Sequence, residues 1–142
     1  MPMPAQHRHR VFFSDGIQPG DHPANDPRPI LALAPDDTNL IYRQDHKGMY
    51  RSRDGADTWE RIENGLPSSF GFPLAIDRRN GTVYSFPLES DEYRIPPDGR
   101  ARVYRTTDRG ESWSALENGL PQRHAYLTVL RRSMVADSQD PC

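Results

Sequence analysis

A segment of 20 residues occurs twice in this chain, as GMYRSRDGADTWERIENGLP at 48–67 and as RVYRTTDRGESWSALENGLP at 102–121. The copies stand 54 residues apart and share nine identities. A unit this short cannot enclose a core of its own, so its repetition implies that each copy buries its apolar face against the next. The repeat therefore points to stacked supersecondary units and leaves the chemistry to residues outside it.

The text around the repeat resolves into short β runs. Segments 30–34, 40–44, 48–52 and 59–62 are each bounded by Asp, Gly, Pro or Asn, the pattern of a four-stranded antiparallel meander. Leu31 to Tyr42 aligns with Pro73 to Tyr84 at an offset of 42, whereas Tyr50 aligns with Tyr104 at 54. The 12 extra residues form an insertion at 88–99, between the second and third strands of the second unit. Without it the spacing matches the roughly 40 to 45 residues of a propeller blade.

The expected fold class is all-β, a β-propeller fragment of four-stranded antiparallel blades with about two complete blades and the first strand of a third. Residues 1–29, with six prolines, read as an irregular lead-in holding one short strand at 11–14. Blade 1 is expected at 30–72, blade 2 at 73–125 and the start of blade 3 at 126–142, its first strand at 126–130. Closed propellers have about 4 to 8 blades, so the chain reads as a piece of a longer protein or a truncated product. Its open sheet edges and exposed blade faces lead to the expectation of aggregates, oligomers or partial disorder.

Composition narrows the partners. With 18 basic and 20 acidic side chains the net charge is −2, which gives no field to steer the chain onto nucleic acid or an anionic membrane. Cys142 is the only cysteine, so an internal disulfide is excluded. The start, MPMPAQHRHR, leads only into Val11, Phe12 and Phe13, short of the roughly 7 to 15 apolar residues of a signal peptide. No window suits a membrane span, and the cytoplasm is the expected compartment.

TTDRGESW at 106–113 fits the pattern Ser/Thr-x-Asp-x-Gly-x-Ser/Thr-Trp at Thr106, Asp108, Gly110, Ser112 and Trp113. SRDGADTW at 52–59 keeps Ser52, Asp54, Thr58 and Trp59, with Ala56 in the glycine place. An early Asp can accept hydrogen bonds from the backbone N–H groups that follow, and Gly supplies positive φ. Asp54 and Asp108 are therefore expected to hold turns and not to shuttle protons. The pattern resembles the Asp-box, or bacterial neuraminidase repeat, and the stretch 30–141 resembles bacterial Asp-box proteins labelled glycosyl hydrolase-like or sialidase-like. That resemblance implies a propeller of the sialidase superfamily, with the box as the hairpin between a blade's third and fourth strands.

Tyr93-Arg94-Ile95-Pro96 resembles the sialidase motif whose arginine grips a substrate carboxylate, a task that suits a guanidinium fork. In a four-stranded blade the insertion opens on the end opposite the box hairpins. It carries Glu89, Asp91, Glu92, Tyr93 and Arg94, and His46 sits on the corresponding loop of blade 1. These are the candidate ligand-binding residues. The plainer expectation for Arg94 is a solvated loop residue paired with Asp91 or Glu92. His7 and His9 are expected to be solvated, with no metal and no cofactor. His124, in a blade-to-blade connection, could face the same rim, and Arg131-Arg132 is too short a run to argue a partner. The leading expectation is a non-catalytic module binding a protein or carbohydrate through this loop face. The alternative is a glycoside hydrolase of exo-alpha-sialidase type, with Arg94 on a carboxylate and an acid drawn from Glu89, Asp91 or Glu92.

Overall fold

The computed structural model describes residues 11–13 and 29–139. The remainder of the expected lead-in, with His7 and His9, lies outside the described residues, as does Cys142. Two four-stranded antiparallel sheets follow each other along the chain. The first comprises β2 (Ile30–Leu33), β3 (Ile41–Gln44), β4 (Met49–Ser52) and β5 (Glu60–Arg61), and the second β6 (Gly71–Ile76), β7 (Val83–Pro87), β8 (Val103–Thr106) and β9 (Ser114–Leu116). Strand order is sequential in both, which is the meander that turn residues between short alternating runs encode.

A third sheet begins at β10 (Met134–Ala136), which pairs antiparallel with β1 (Val11–Phe13). The strand expected at 126–130 is absent: those residues carry no regular structure, and Ala125 and Val129 turn into the core. Met134–Ala136 is the true counterpart of β2 and β6, and these three strands neighbour one another in the order β2, β6, β10. Their outward residues, including Leu31, Leu33 and Val135, line a trough of about 430 Å³. Among the described residues no helix is long and apolar enough to cross a membrane.

The two sheets pack face to face. Alternation along a strand sends successive side chains to opposite faces, so Tyr42, Met49, Leu40 and Ile62 of the first sheet meet Leu74, Val83, Tyr104 and Trp113 of the second. Trp113 is 5% exposed and its Nε1–H donates to the Ile62 carbonyl at 2.7 Å, while its backbone N–H donates to Asn64 O at 2.9 Å. An indole buries roughly 150–250 Å², on the order of 4–6 kcal/mol of gross transfer energy at about 25 cal/mol per Å². Charge joins the same seam at its rim. The buried guanidinium of Arg51 bonds Glu60 at 2.5 Å on its own sheet and Glu111 at 2.7 Å on the next. Burial alone would lower the Arg51 pKa, but the two carboxylates outweigh it and the net shift is upward.

The other face of the second sheet forms a separate core, in which Phe70, Phe72, Tyr84, Phe86, Leu88 and Val103 are closed over by Ala125, Val129 and Met134. Tyr50 and Trp59, the repeat counterparts of Tyr104 and Trp113, belong to neither core. They sandwich the Arg43 guanidinium, 4.6 Å from each ring centroid. Position in the stack, not residue type, decides what each tryptophan stabilises. Trp113→Ala is expected to lower unfolding free energy by about 3–5 kcal/mol, and Trp59→Ala by less than half of that. Urea denaturation of the two variants checks it.

Candidate functional site

By the topology of a meander, the loops after the first and third strands of each sheet lie at one end and those after the second and fourth at the other. At the first end stand the two Asp-containing hairpins. Asp54 accepts from the Ser52 hydroxyl at 2.8 Å, the Thr58 N–H at 2.8 Å and the Thr58 hydroxyl at 2.5 Å. Asp108 is held by Thr106 at 2.7 Å, Ser112 N–H at 2.9 Å and the Ser112 hydroxyl at 2.5 Å. The Thr58 hydroxyl and N–H, then Ser52, hold the Asp54 carboxyl down at about 2, and Ser112 and then Thr106 likewise lower Asp108. Both groups stay ionised with their lone pairs committed to the loop. Neither can act as a general acid near neutral pH.

Each hairpin has two consecutive residues at positive φ. In the first they are Gly55 at 70° and Ala56 at 82°, and in the second Arg109 at 59° and Gly110 at 91°. Gly110 is required twice over, because a Cβ there would also stand 2.6 Å from Ile62 Cδ1 across the seam. Ala56 carries the steric cost that Gly110 avoids.

At the opposite end the structure builds a cluster around Phe72. A β-bulge between Gly71 and Leu74 sets two residues, Phe72 and Pro73, against the single Phe86 of the partner strand, and Pro73 has no N–H to give the ladder. Regular alternation would put Phe72 on the face of Leu74. The bulge instead turns Phe72 to the side of Ala75, so that Leu74 enters one core and Phe72 the other. His46, on the loop between β3 and β4, packs its ring against Phe70 and Phe72 with centroids 5.2 Å away from each. Arg94 stands 5.2 Å and Arg131 5.4 Å from the Phe72 centroid. Arg131 Nη2 lies 3.2 Å from His46 Nε2, a contact in which the guanidinium donates and the imidazole nitrogen accepts.

The insertion is a folded turn. Glu89 N–H donates to Ile95 O and Ser90 N–H to Tyr93 O, and a 3₁₀ turn at Pro97–Gly99 closes it. Arg94 is anchored on Asp91, through its carboxylate and its carbonyl, and the Thr128 hydroxyl donates to the Arg94 carbonyl. Of the sequence candidates, Arg94, Asp91 and His46 thus meet at this end. Tyr93 is 62% exposed and stacks on neither phenylalanine, and Glu89 and Glu92 are exposed on the same turn. His124 is exposed and lies beside Tyr126, its Nδ1 3.4 Å from the phenol oxygen. The sequence reading missed Arg131 and Phe72. Arg131 belongs to a run of only two arginines, too short to mark a partner, and the signal for Phe72 is the Gly71-Phe72-Pro73 break in an inner strand. Two guanidiniums and an imidazole on one aromatic floor can bind an anion or an electron-rich face. Among the described residues no group of three or more His, Cys, Asp or Glu side chains could hold a metal ion.

No family model matches the chain. Among curated proteins it is 30% identical over 88 residues to the vacuolar protein sorting/targeting protein 10 of Colletotrichum graminicola, and 30% identical over 86 residues to the protein of that name from Fusarium vanettenii. Those matches take in 61% and 59% of this chain but only 5% of each relative. Among solved structures, the crystal structure of an ancestral GH74 enzyme aligns with a TM-score of 0.53 at 21% identity, covering 66% of this chain and 12% of the enzyme. At that identity the likeness concerns fold, and the fold is that of a β-propeller.

Two outcomes follow for the hairpins. Because folding depresses Asp54 from 3.8 to about 2, the unfolded chain takes up that proton first, and stability present above pH ~4 is lost as pH falls towards ~2. Thermal midpoints measured across that window should fall less steeply in Asp54→Asn than in the unaltered chain. Ala56→Gly is expected to raise unfolding free energy by about 1 kcal/mol, since it relieves positive φ at a non-glycine residue; chemical denaturation reads it directly.

Proposed function

We propose that the chain is a non-catalytic β-propeller module of the Asp-box, sialidase-like kind, binding a protein or carbohydrate partner through the loop end that carries His46, Arg94 and Arg131. The observation that supports it is the gathering of these three side chains on Phe72 from three separate loops. Asp91 pairs with Arg94 in the way that steadies a guanidinium for recognition. The repeated aspartates, Asp54 and Asp108, lie at the other end and are consumed by their own turns.

The fold shared with an ancestral GH74 enzyme favours a second reading, glycoside hydrolysis, in which Asp91, Glu89 or Glu92 would supply the acid. The chain incubated with a panel of sialosides and polysaccharides is expected to release no reducing sugar above background. Glycan-array and peptide-array binding should instead appear and fall at least tenfold in Arg94→Ala and Arg131→Ala. Hydrolysis that disappears on Asp91→Asn or Glu92→Gln would sink the module reading in favour of the enzyme.

A further inference from the structure

One contact at the Phe72 end depends on a single proton. Arg131 Nη2 lies 3.2 Å from His46 Nε2. A guanidinium has only N–H groups to offer, so Nε2 must present its lone pair and the imidazole must be neutral. The two residues stand 85 positions apart, and their contact ties the loop between β3 and β4 to the connection that runs into β10. Both are half-buried. Phe70 and Phe72 pack on the His46 ring from two sides and hold Nε2 aimed at the guanidinium.

Imidazole side chains take up a proton in mildly acidic solution. At His46 that proton removes the acceptor and sets two cations where a hydrogen bond had been, in a place partly screened from water. Among the described residues, none of the surrounding carboxylates bonds the ring. Asp45, on the same loop, accepts from Lys47 N–H at 2.8 Å and Gly48 N–H at 3.0 Å and stands 3.5 Å from Arg43. Glu63, beside Gly48, accepts from Met49 N–H at 3.1 Å, Arg61 at 3.2 Å and the Ser69 hydroxyl at 3.0 Å. Asp91, on the insertion, is paired with Arg94, which brings a further cation to the Phe72 ring. Lys47 is exposed on the His46 loop, and the two phenylalanines carry no charge.

We infer that His46 and Arg131 form a proton-operated latch. With a neutral imidazole the connection is fastened to the loop of the first sheet; with a protonated one Arg131 leaves Nε2 and the connection loosens there. Arg131 lies in a turn closed by Ser133 N–H on Leu130 O at 3.1 Å, between Val129, which covers the second core, and Met134, where β10 begins. The other fastenings of the connection are the Thr128 hydroxyl on the Arg94 carbonyl and Ala125 N–H on Gly99 O. Neither titrates, so the opening is confined to the turn at 130–133. As a regulator of binding at this end the latch rests on the function proposed above; its opening is read without a partner, so either can fail alone.

Hydrogen exchange of the full chain at about pH 7.5 and about pH 5, on either side of ordinary imidazole titration and corrected for the intrinsic pH dependence of exchange, is the test. The Ser133 amide should exchange at least tenfold faster at the lower pH. His46→Gln keeps an acceptor but takes no proton, and it should hold the slow rate at both. A second measurement leaves position 46 untouched: the imidazole Cε1–H resonance of His46 is titrated in the unaltered chain and in Arg131→Gln, whose far-ultraviolet circular dichroism should be unchanged. Losing the neighbouring cation should raise the titration midpoint by about half a pH unit or more. Exchange at Ser133 that ignores pH, a pH response that survives in His46→Gln, or a midpoint that stays in place in Arg131→Gln would each overturn the latch.

Discussion

The indole of Trp113 wedged against the first sheet is the contact on which the rest of the molecule depends. A four-stranded sheet of such short strands has two apolar faces and too little surface to stand alone. Trp113 provides the bulk that fills the gap between neighbouring sheets, and its two N–H groups reach carbonyls on the edge of the sheet it covers. Burying those carbonyls without a donor would cost about 1–3 kcal/mol each, so the ring and its hydrogen bonds set the spacing and the register of the stack together. The hairpin that presents the ring must then be rigid, and the Asp108 carboxylate makes it so.

The same stack decides where recognition can occur. Packing sheets side by side leaves their loop ends in two groups. One group is occupied by hairpins whose polar atoms are turned on themselves. At the other, loops of different length from three parts of the chain converge on the bulged strand β6. Pro73 breaks the ladder there, Phe72 turns to the opposite face, and the ring becomes a floor for His46, Arg94 and Arg131. A local rule about a missing N–H thus generates the surface on which cationic side chains collect.

Much of the fold was legible in one dimension. The offset of 42, the turn residues and the alternation of apolar positions located the strands of both sheets to within a residue or two, and the spacing of Thr106, Asp108, Ser112 and Trp113 foretold a self-bonded hairpin. The third first strand was misplaced by several residues, because 126–130 is apolar enough to read as a strand. Ala125 and Val129 are buried there as a cover over the second sheet and not as part of a ladder. The candidate site was legible only in its loops. Arg94 and His46 were in view because one rides on the insertion and the other on its counterpart loop, whereas Arg131 stands 85 residues from His46.

The sequence by itself determined the repeating unit, its strand count and the chemistry of its turns, since these rest on interactions between residues a few positions apart. Only the tertiary structure decided which of two equivalent tryptophans is buried, which face Phe72 takes and which cations share it. Those outcomes depend on what each sheet meets across space, and the repeated residues carry no mark of that.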